Sequence, residues 1–162
     1  MEKIPFTPQG LEAIKEELAH LKGHERQAVI NAIAEAREHG DLSENAEYHA
    51  AREKQSFIEG RITELEDVTS RAEVIDATKL SGEKVTFGTS VGVADEDTDE
   101  KSIFHIVGPY EADINHGLVS TSSPIAKGLI GKSVGESAEV HSPGGVKSYE
   151  IISIELFDMS KV

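Results

Sequence analysis

Ala34-Glu35-Ala36-Arg37-Glu38-His39-Gly40-Asp41-Leu42-Ser43-Glu44-Asn45-Ala46-Glu47-Tyr48-His49-Ala50-Ala51-Arg52 is the stretch that decides the fold. Long segments of helix formers lie on either side of it. Within it, Gly40 is free to take a positive φ and end one helix. Asp41 then stands as an N-cap with Glu44 three residues on, the pattern of a capping box that opens the next helix. Two helices joined by so few residues are antiparallel neighbours. Residues 39–44 form the tip between them.

Upstream, Thr7 is placed to cap a first helix with Pro8 at its first position, where the missing N–H costs nothing. Leu11, Ile14, Leu18 and Leu21 follow at spacings of three, four and three, an a/d seam. Val29, Ile33 and Ala36 carry the apolar face beyond Gly23, a residue that costs roughly 1 kcal/mol relative to Ala in a helix and predicts a local bend. Downstream, Tyr48, Ala51, Gln55, Ile58, Ile62, Leu65, Thr69 and Ala72 form a second seam. At 1.5 Å per residue, arms of about 30 residues reach about 45 Å, so the spacing predicts a finger with residues 39–44 at its end.

Composition breaks near residues 76–82. This predicts a helical domain over 1–76, a linker over 77–82 around Ser81-Gly82, and a second domain over 83–162. The second domain alternates like β-strands at 85–87, 90–94, 102–107, 118–120, 139–141 and 148–156. One short helix interrupts them, with Ser123 as its N-cap and Pro124 first in the helix. The fold class is α+β: a long antiparallel α-helical hairpin followed by a small antiparallel sheet with a helix laid across it.

The 162 residues include 16 Lys and Arg against 30 Asp and Glu, a formal charge of −14. Proteins that hold nucleic acid alone neutralise phosphates with Lys and Arg, so stand-alone DNA or RNA binding is not expected. An ordinary soluble enzyme, or a factor that docks on a basic protein surface, remains. Cys is 0, which excludes disulfides, thiolate metal sites and cysteine nucleophiles. No apolar run is long enough for a membrane span, and the N-terminus lacks a signal core, so a cytoplasmic protein is expected.

Asp41 and Glu44 are the leading candidates for chemistry. They are either a helix cap with its reciprocal partner or two carboxylates brought together on one helical face at the tip. Two carboxylates are too few for an all-protein Mg²⁺ cage but suit a site completed by ligands from elsewhere. The two readings are compatible, since a cap can hold the carboxylates in place for a partner. His20 and His24, four apart, have metal-pair spacing but lack a tight acidic third ligand and read as solvated surface, as do His39 and His49 beside the tip. Gly144-Gly145 reads as a hairpin turn and the acidic run 95–100 as a solvated loop. No Gly-rich phosphate loop or nucleophile elbow is present.

The tip stretch closely resembles the bacterial GreA transcript cleavage factors of the Gre family. So do Ile4-Pro5-Phe6-Thr7, Phe104-His105-Ile106-Val107-Gly108, Ser123-Pro124-Ile125-Ala126-Lys127-Gly128-Leu129-Ile130-Gly131-Lys132 and Ser142-Pro143-Gly144-Gly145, so the likeness covers nearly the whole chain. It implies an N-terminal antiparallel coiled coil and a C-terminal FKBP-like domain. It also implies that the C-terminal domain docks on RNA polymerase at the rim of the secondary channel while the coiled coil enters it. Asp41 and Glu44 would then help hold the polymerase's second Mg²⁺ and position water for hydrolysis of the 3′ end of backtracked RNA, rescuing arrested complexes.

On this reading the polymerase remains the nuclease, and the isolated protein binds no cofactor and is a monomer. Arg37 and Arg52 are expected to pair with RNA phosphate or channel acids, or else to form surface salt bridges. Leu42 is expected to pack inside the channel, and Ser43 and Asn45 to hydrogen-bond bound water. Polymerase contacts are expected near 113–118 and the 123–131 helix. Gly23-His24-Glu25-Arg26 is less basic than in some relatives, and 157–162 runs past the family's usual end with no assigned role. A peptidyl-prolyl isomerase is the alternative suggested by the FKBP-like part, although that part has no Trp and only Phe87, Phe104, Tyr110, Tyr149 and Phe157. A channel-binding inhibitor of cleavage is a third reading, and the intact Gly40-Asp41-Leu42-Ser43-Glu44-Asn45 segment favours the cleavage type.

Overall fold

The computed structural model of the protein describes residues 2–76 and 82–159. It is a mixed α+β chain of two compact units. Leu11–Arg71 forms the first, and Met1–Gly10 together with Ala72–Val162 forms the second. The sequence placed residues 1–76 together, whereas contacts group the first ten residues with the sheet-bearing part. The cause is a pairing that a local pattern does not reveal: β1 (Ile4–Phe6) runs parallel to β2 (Ala72–Val74), with Ile4 opposite Ala72 and Phe6 opposite Val74. The linker expected at 77–82 lies, apart from Gly82, outside the described residues.

Helix α1 (Pro8–His20) starts as its sequence dictates, with the Gly10 N–H donating to Thr7 Oγ1 at 3.0 Å. The Thr7 N–H donates to Glu111 Oε1 at 2.8 Å, and the Thr7 hydroxyl donates to the other carboxylate oxygen. Burial raises the Glu111 carboxyl above its ordinary value, against the lowering effect of the Thr7 bonds. The helix continues through a π-helical turn at Leu21–Glu25 into α2 (Arg26–Arg37). Gly23 lies inside that turn, so the bend expected there takes the form of a widened helical turn.

Helix α3 (Ala46–Ser70) returns alongside. Cross-contacts pair Glu17 with Arg61 and Arg26 with Glu59, which fixes the two runs as antiparallel. Val29, Ile58 and Ile62 are buried between them, with Leu18 and Leu21 packed against the cluster. Burying side chains of this size is worth about 1.5–3 kcal/mol each, so they outweigh the exposed ion pairs around them. The expected seam departs at its end. Val68 is buried while the Thr69 hydroxyl donates to Glu66 O at 3.0 Å, and Ala72 belongs to β2.

The second unit carries a five-stranded sheet of β3 (Thr89–Asp95), β4 (Lys101–Val107), β5 (Leu118–Ser120), β6 (Ser137–Ser142) and β7 (Gly145–Leu156), in the order β5-β4-β3-β7-β6. All neighbours are antiparallel except β4 and β5, a departure from the wholly antiparallel sheet expected. Helix α4 (Pro124–Leu129) has the expected cap, with the Ala126 N–H donating to Ser123 Oγ at 3.1 Å. Its Ala126 and Leu129 join Val91, Val93, Ile106, Val119, Ala138 and Ile151 in the core.

The strand expected at 85–87 is instead a turn, in which Thr89 Oγ1 donates to Thr86 O at 2.7 Å and Gly88 follows at φ +85°. Val85 is still buried, tied to the Lys132 carbonyl by a 2.9 Å bond from its N–H. The acidic run forms the β3–β4 turn, with the Asp95 carboxylate accepting from the N–H groups of Asp97 and Thr98. No helix of the described residues is long and apolar enough to cross a membrane.

Two glycine substitutions test these placements in opposite directions. A Cβ at Gly23 meets nothing within 4 Å, so Gly23→Ala stabilises the chain by up to about 1 kcal/mol. A Cβ at Gly108 would collide with the Pro5 carbonyl oxygen, so Gly108→Ala destabilises it by about 1–3 kcal/mol. Urea unfolding followed by circular dichroism reads both changes.

Candidate functional site

Helix α2 ends with unpaired carbonyls, and the turn that follows satisfies them from several directions. The Glu38 N–H donates to Glu35 O at 3.1 Å and the His39 N–H to Ala36 O at 3.2 Å. Gly40 then turns the chain at φ +105°, as its sequence position requires. The next helix does not begin at Asp41. Its N-cap is Asn45, whose Oδ1 accepts from the Tyr48 N–H at 3.0 Å. The same amide donates from Nδ2 to Ala36 O at 2.6 Å, so one side chain joins the end of α2 to the start of α3.

Asp41 is therefore free of the capping role and closes a small turn of its own. Its Oδ1 accepts from Ser43 Oγ at 2.8 Å and from the Ser43 N–H at 3.0 Å. These two bonds, the hydroxyl's foremost, hold the Asp41 carboxyl below its ordinary value and keep it ionised. Glu44 lies in the same turn and not on a shared helical face with Asp41. Even so, both carboxylates line one open recess with His39, Asn45, Ala46 and Glu47. Leu42 is 36% exposed between them. His49 Nε2 lies 3.3 Å from Ser43 O, and His39 faces Glu47 at 3.8 Å.

Arg37 from α2 and Arg52 from α3 both lie over the Tyr48 ring, at 5.9 and 6.0 Å from its centroid. Their positive charge lowers the phenol's pKa, with the hydrogen bond to Arg37 the leading cause. Sequence reasoning treated Tyr48 as a seam residue and overlooked it as the platform for both arginines. The i, i+4 spacing of Tyr48 and Arg52 was the available signal. Glu47, on the recess wall, also went unremarked. The His20 and His24 rings stack at 5.2 Å, with His20 Nε2 turned 3.2 Å from Glu25 Oε1. Among the described residues no group of three or more His, Asp or Glu side chains could hold a metal ion.

This geometry supplies two exposed, acceptor-only carboxylates on a short turn, flanked by two guanidiniums on one aromatic ring. Oxygen donors of this kind suit a hard divalent cation, and two of them provide only part of its coordination.

Residues 4–74 match the N-terminal transcription elongation factor family, and residues 80–156 match the C-terminal GreA/GreB transcription elongation factor family. The chain is 64% identical over 154 residues to the transcription elongation factor GreA of Rhodospirillum rubrum, covering 95% of this chain and 98% of that one. It is 65% identical over 155 residues to GreA of Ruegeria pomeroyi, covering 96% and 99%. Among solved structures, the GreA factor homolog 1 (Gfh1) protein of Thermus thermophilus aligns at 27% identity and a TM-score of 0.44, over 95% of this chain and 99% of that one.

The bonds from Ser43 act on the charged form of Asp41. They are in place above the ordinary aspartate pKa and are lost as the pH falls through the lowered one. Ser43→Ala removes the hydroxyl bond and moves the Asp41 titration upward, toward the usual carboxylate value. Carbon-detected NMR of the Asp41 carboxyl across an acid titration reads this shift.

Proposed function

The chain belongs to the GreA/GreB family of transcription elongation factors, and on that premise we propose that it stimulates transcript cleavage by RNA polymerase. The helical pair acts as an antiparallel coiled coil that enters the secondary channel, carrying residues 39–44 to the polymerase active centre. There the polymerase cuts the 3′ end of backtracked RNA and the arrested complex resumes. The chain itself is no nuclease, and it works as a monomer in the cytoplasm. The supporting observation is that Asp41 and Glu44 open on one recess in the turn between two antiparallel helices.

The donor set fits a cation owned by a partner. Mg²⁺ prefers six oxygens, of which this chain offers two carboxylates, so polymerase, RNA and water supply the rest. A second Mg²⁺, when bound, would complete a two-metal site in which the two ions share the charge on the attacking and leaving oxygens of phosphodiester hydrolysis. Asp41, ionised and oriented by Ser43, contributes a fixed negative oxygen. Glu44 orients the attacking water and accepts its proton at a carboxylate oxygen. Arg37 and Arg52, already arrayed on Tyr48, face RNA phosphate or acids of the channel wall. Leu42 offers an apolar contact to the channel, while Ser43 and Asn45 support the turn and bound water.

The five-stranded sheet with α4 packed against it is taken as an FKBP-like docking domain. An apolar groove between β5 and α4, lined by Ala112, Ile114, Leu118, Val119, Pro124 and Ile125, coincides with the expected contact regions 113–118 and 123–131. No aromatic side chain lines this groove, which weighs against prolyl isomerisation. A net charge of −14 favours docking on a basic protein surface over holding free nucleic acid.

With a stalled elongation complex and Mg²⁺, the chain releases short 3′ RNA fragments. Asp41→Ala and Glu44→Ala each lower that release about a hundredfold while still competing for polymerase. Variants that cleave like the parent would remove the carboxylates from the mechanism.

A further inference from the structure

The eight residues from Glu38 to Asn45 carry both tip carboxylates outside any regular helix, so something must fix where the turn sits. Among the described residues the Asp41 carboxylate is held by two bonds from Ser43, both internal to the turn. Gly40 at φ +105° has no side chain to brace against a neighbour. The bonds that reach out of the turn are few. Glu38 N–H meets Glu35 O at 3.1 Å, His39 N–H meets Ala36 O at 3.2 Å and the His39 ring faces Glu47 at 3.8 Å. His49 N–H meets Asn45 O at 3.1 Å and its Nε2 approaches Ser43 O at 3.3 Å, and the Asn45 amide spans from Ala36 O at 2.6 Å to the Tyr48 N–H at 3.0 Å. Of these, only the Asn45 side chain engages both helices.

We infer that Asn45 is a positioning residue, whose amide bridge between Ala36 and Tyr48 fixes the Asp41–Glu44 turn in the shape that a divalent cation requires. Among the described residues the Asn45 side chain hydrogen-bonds to neither carboxylate, and both of its amide atoms are engaged with backbone, so its effect passes through the turn. An N-cap alone would not need Asn. Ser, Thr and Asp accept from a helix N–H equally well, but none of them can also donate a side-chain N–H to the preceding helix. The role depends on Asp41 and Glu44 serving a cation, as proposed above. Supporting groups of this kind typically alter metal affinity or activity about ten- to a hundredfold when removed.

Asn45→Ser separates the two duties, because the serine hydroxyl keeps the cap and loses the bridge. Asn45→Ala loses both. In the isolated chain, NMR of Asn45→Ser shows faster amide exchange at residues 41–44, with α2 and α3 unchanged. The Asp41 carboxyl titrates closer to its ordinary value. With a stalled elongation complex at saturating factor, fragment release falls about tenfold or more, while competition for polymerase matches the parent. Asn45→Ala behaves the same at the tip and also unfolds a few degrees lower. If Asn45→Ser exchanges, titrates and cleaves like the parent, the bridge has no positioning role. If the parent itself releases no fragments, the cleavage reading fails and the inferred role falls with it. If the parent cleaves and only Asn45→Ser does not differ, the cleavage reading stands and the positioning role is wrong.

Discussion

A helix that stops leaves carbonyls without partners, and a helix that starts leaves N–H groups without them. Where two antiparallel helices meet in a short turn, both deficits occur within a few ångströms. Here a single amide meets one of each. Asn45 donates to the last turn of α2 and accepts from the first turn of α3, so the connection closes on itself and its middle is left to serve something else. That middle is where Asp41 and Glu44 lie. Because the backbone demands are met by Asn45, His39 and Glu38, the carboxylates are not consumed in capping and keep oxygens open to a partner.

The rest of the helical unit keeps this turn in register. Val29, Ile58 and Ile62 supply a narrow apolar contact, and the Glu17–Arg61 and Arg26–Glu59 pairs lie across the two runs beside it. Within the sheet-bearing unit, the Thr7 hydroxyl oxygen accepts from the Gly10 N–H while the Thr7 N–H donates to Glu111. The larger core belongs to that second unit, where the sheet and α4 enclose Val91, Ile106, Leu129 and Ile151. An acid-rich chain with a modest apolar helical unit is poorly suited to grasp a polyanion and well suited to carry negative oxygens to a positive site.

Much of this was legible in the sequence because the signals were local. Thr7-Pro8 and Ser123-Pro124 each place a cap and a fixed φ at adjacent positions, and both helices begin there. Gly23 announced a disturbance, though not that it would be a π-helical turn. The tip was harder, since Asp41 and Asn45 are both competent caps, and only Asp41 has a glutamate three places on to suggest a capping box, yet Asn45 is the cap. The choice was made by the carbonyl of Ala36, which Asn45 can reach and which no spacing rule contains. Val68 and Thr69 posed a similar choice between i+3 and i+4 neighbours, settled by the thirst of a buried site for an apolar group. Strands β1 and β2 are three residues each and pair across 68 positions, far outside any periodic window. Residues 85–87 have strand composition, but the Thr86–Thr89 bonds turn them aside.

On the proposed function, this chain lends the Asp41 and Glu44 carboxylates to a cation held mainly by another protein. The most direct measurement is the Mg²⁺ concentration at which a stalled elongation complex reaches half its maximal cleavage rate, with and without the chain. The account predicts that the chain lowers this concentration and that Asp41→Asn removes most of the effect. A maximal rate that rises at an unchanged Mg²⁺ requirement, in the parent and in Asp41→Asn alike, would contradict it.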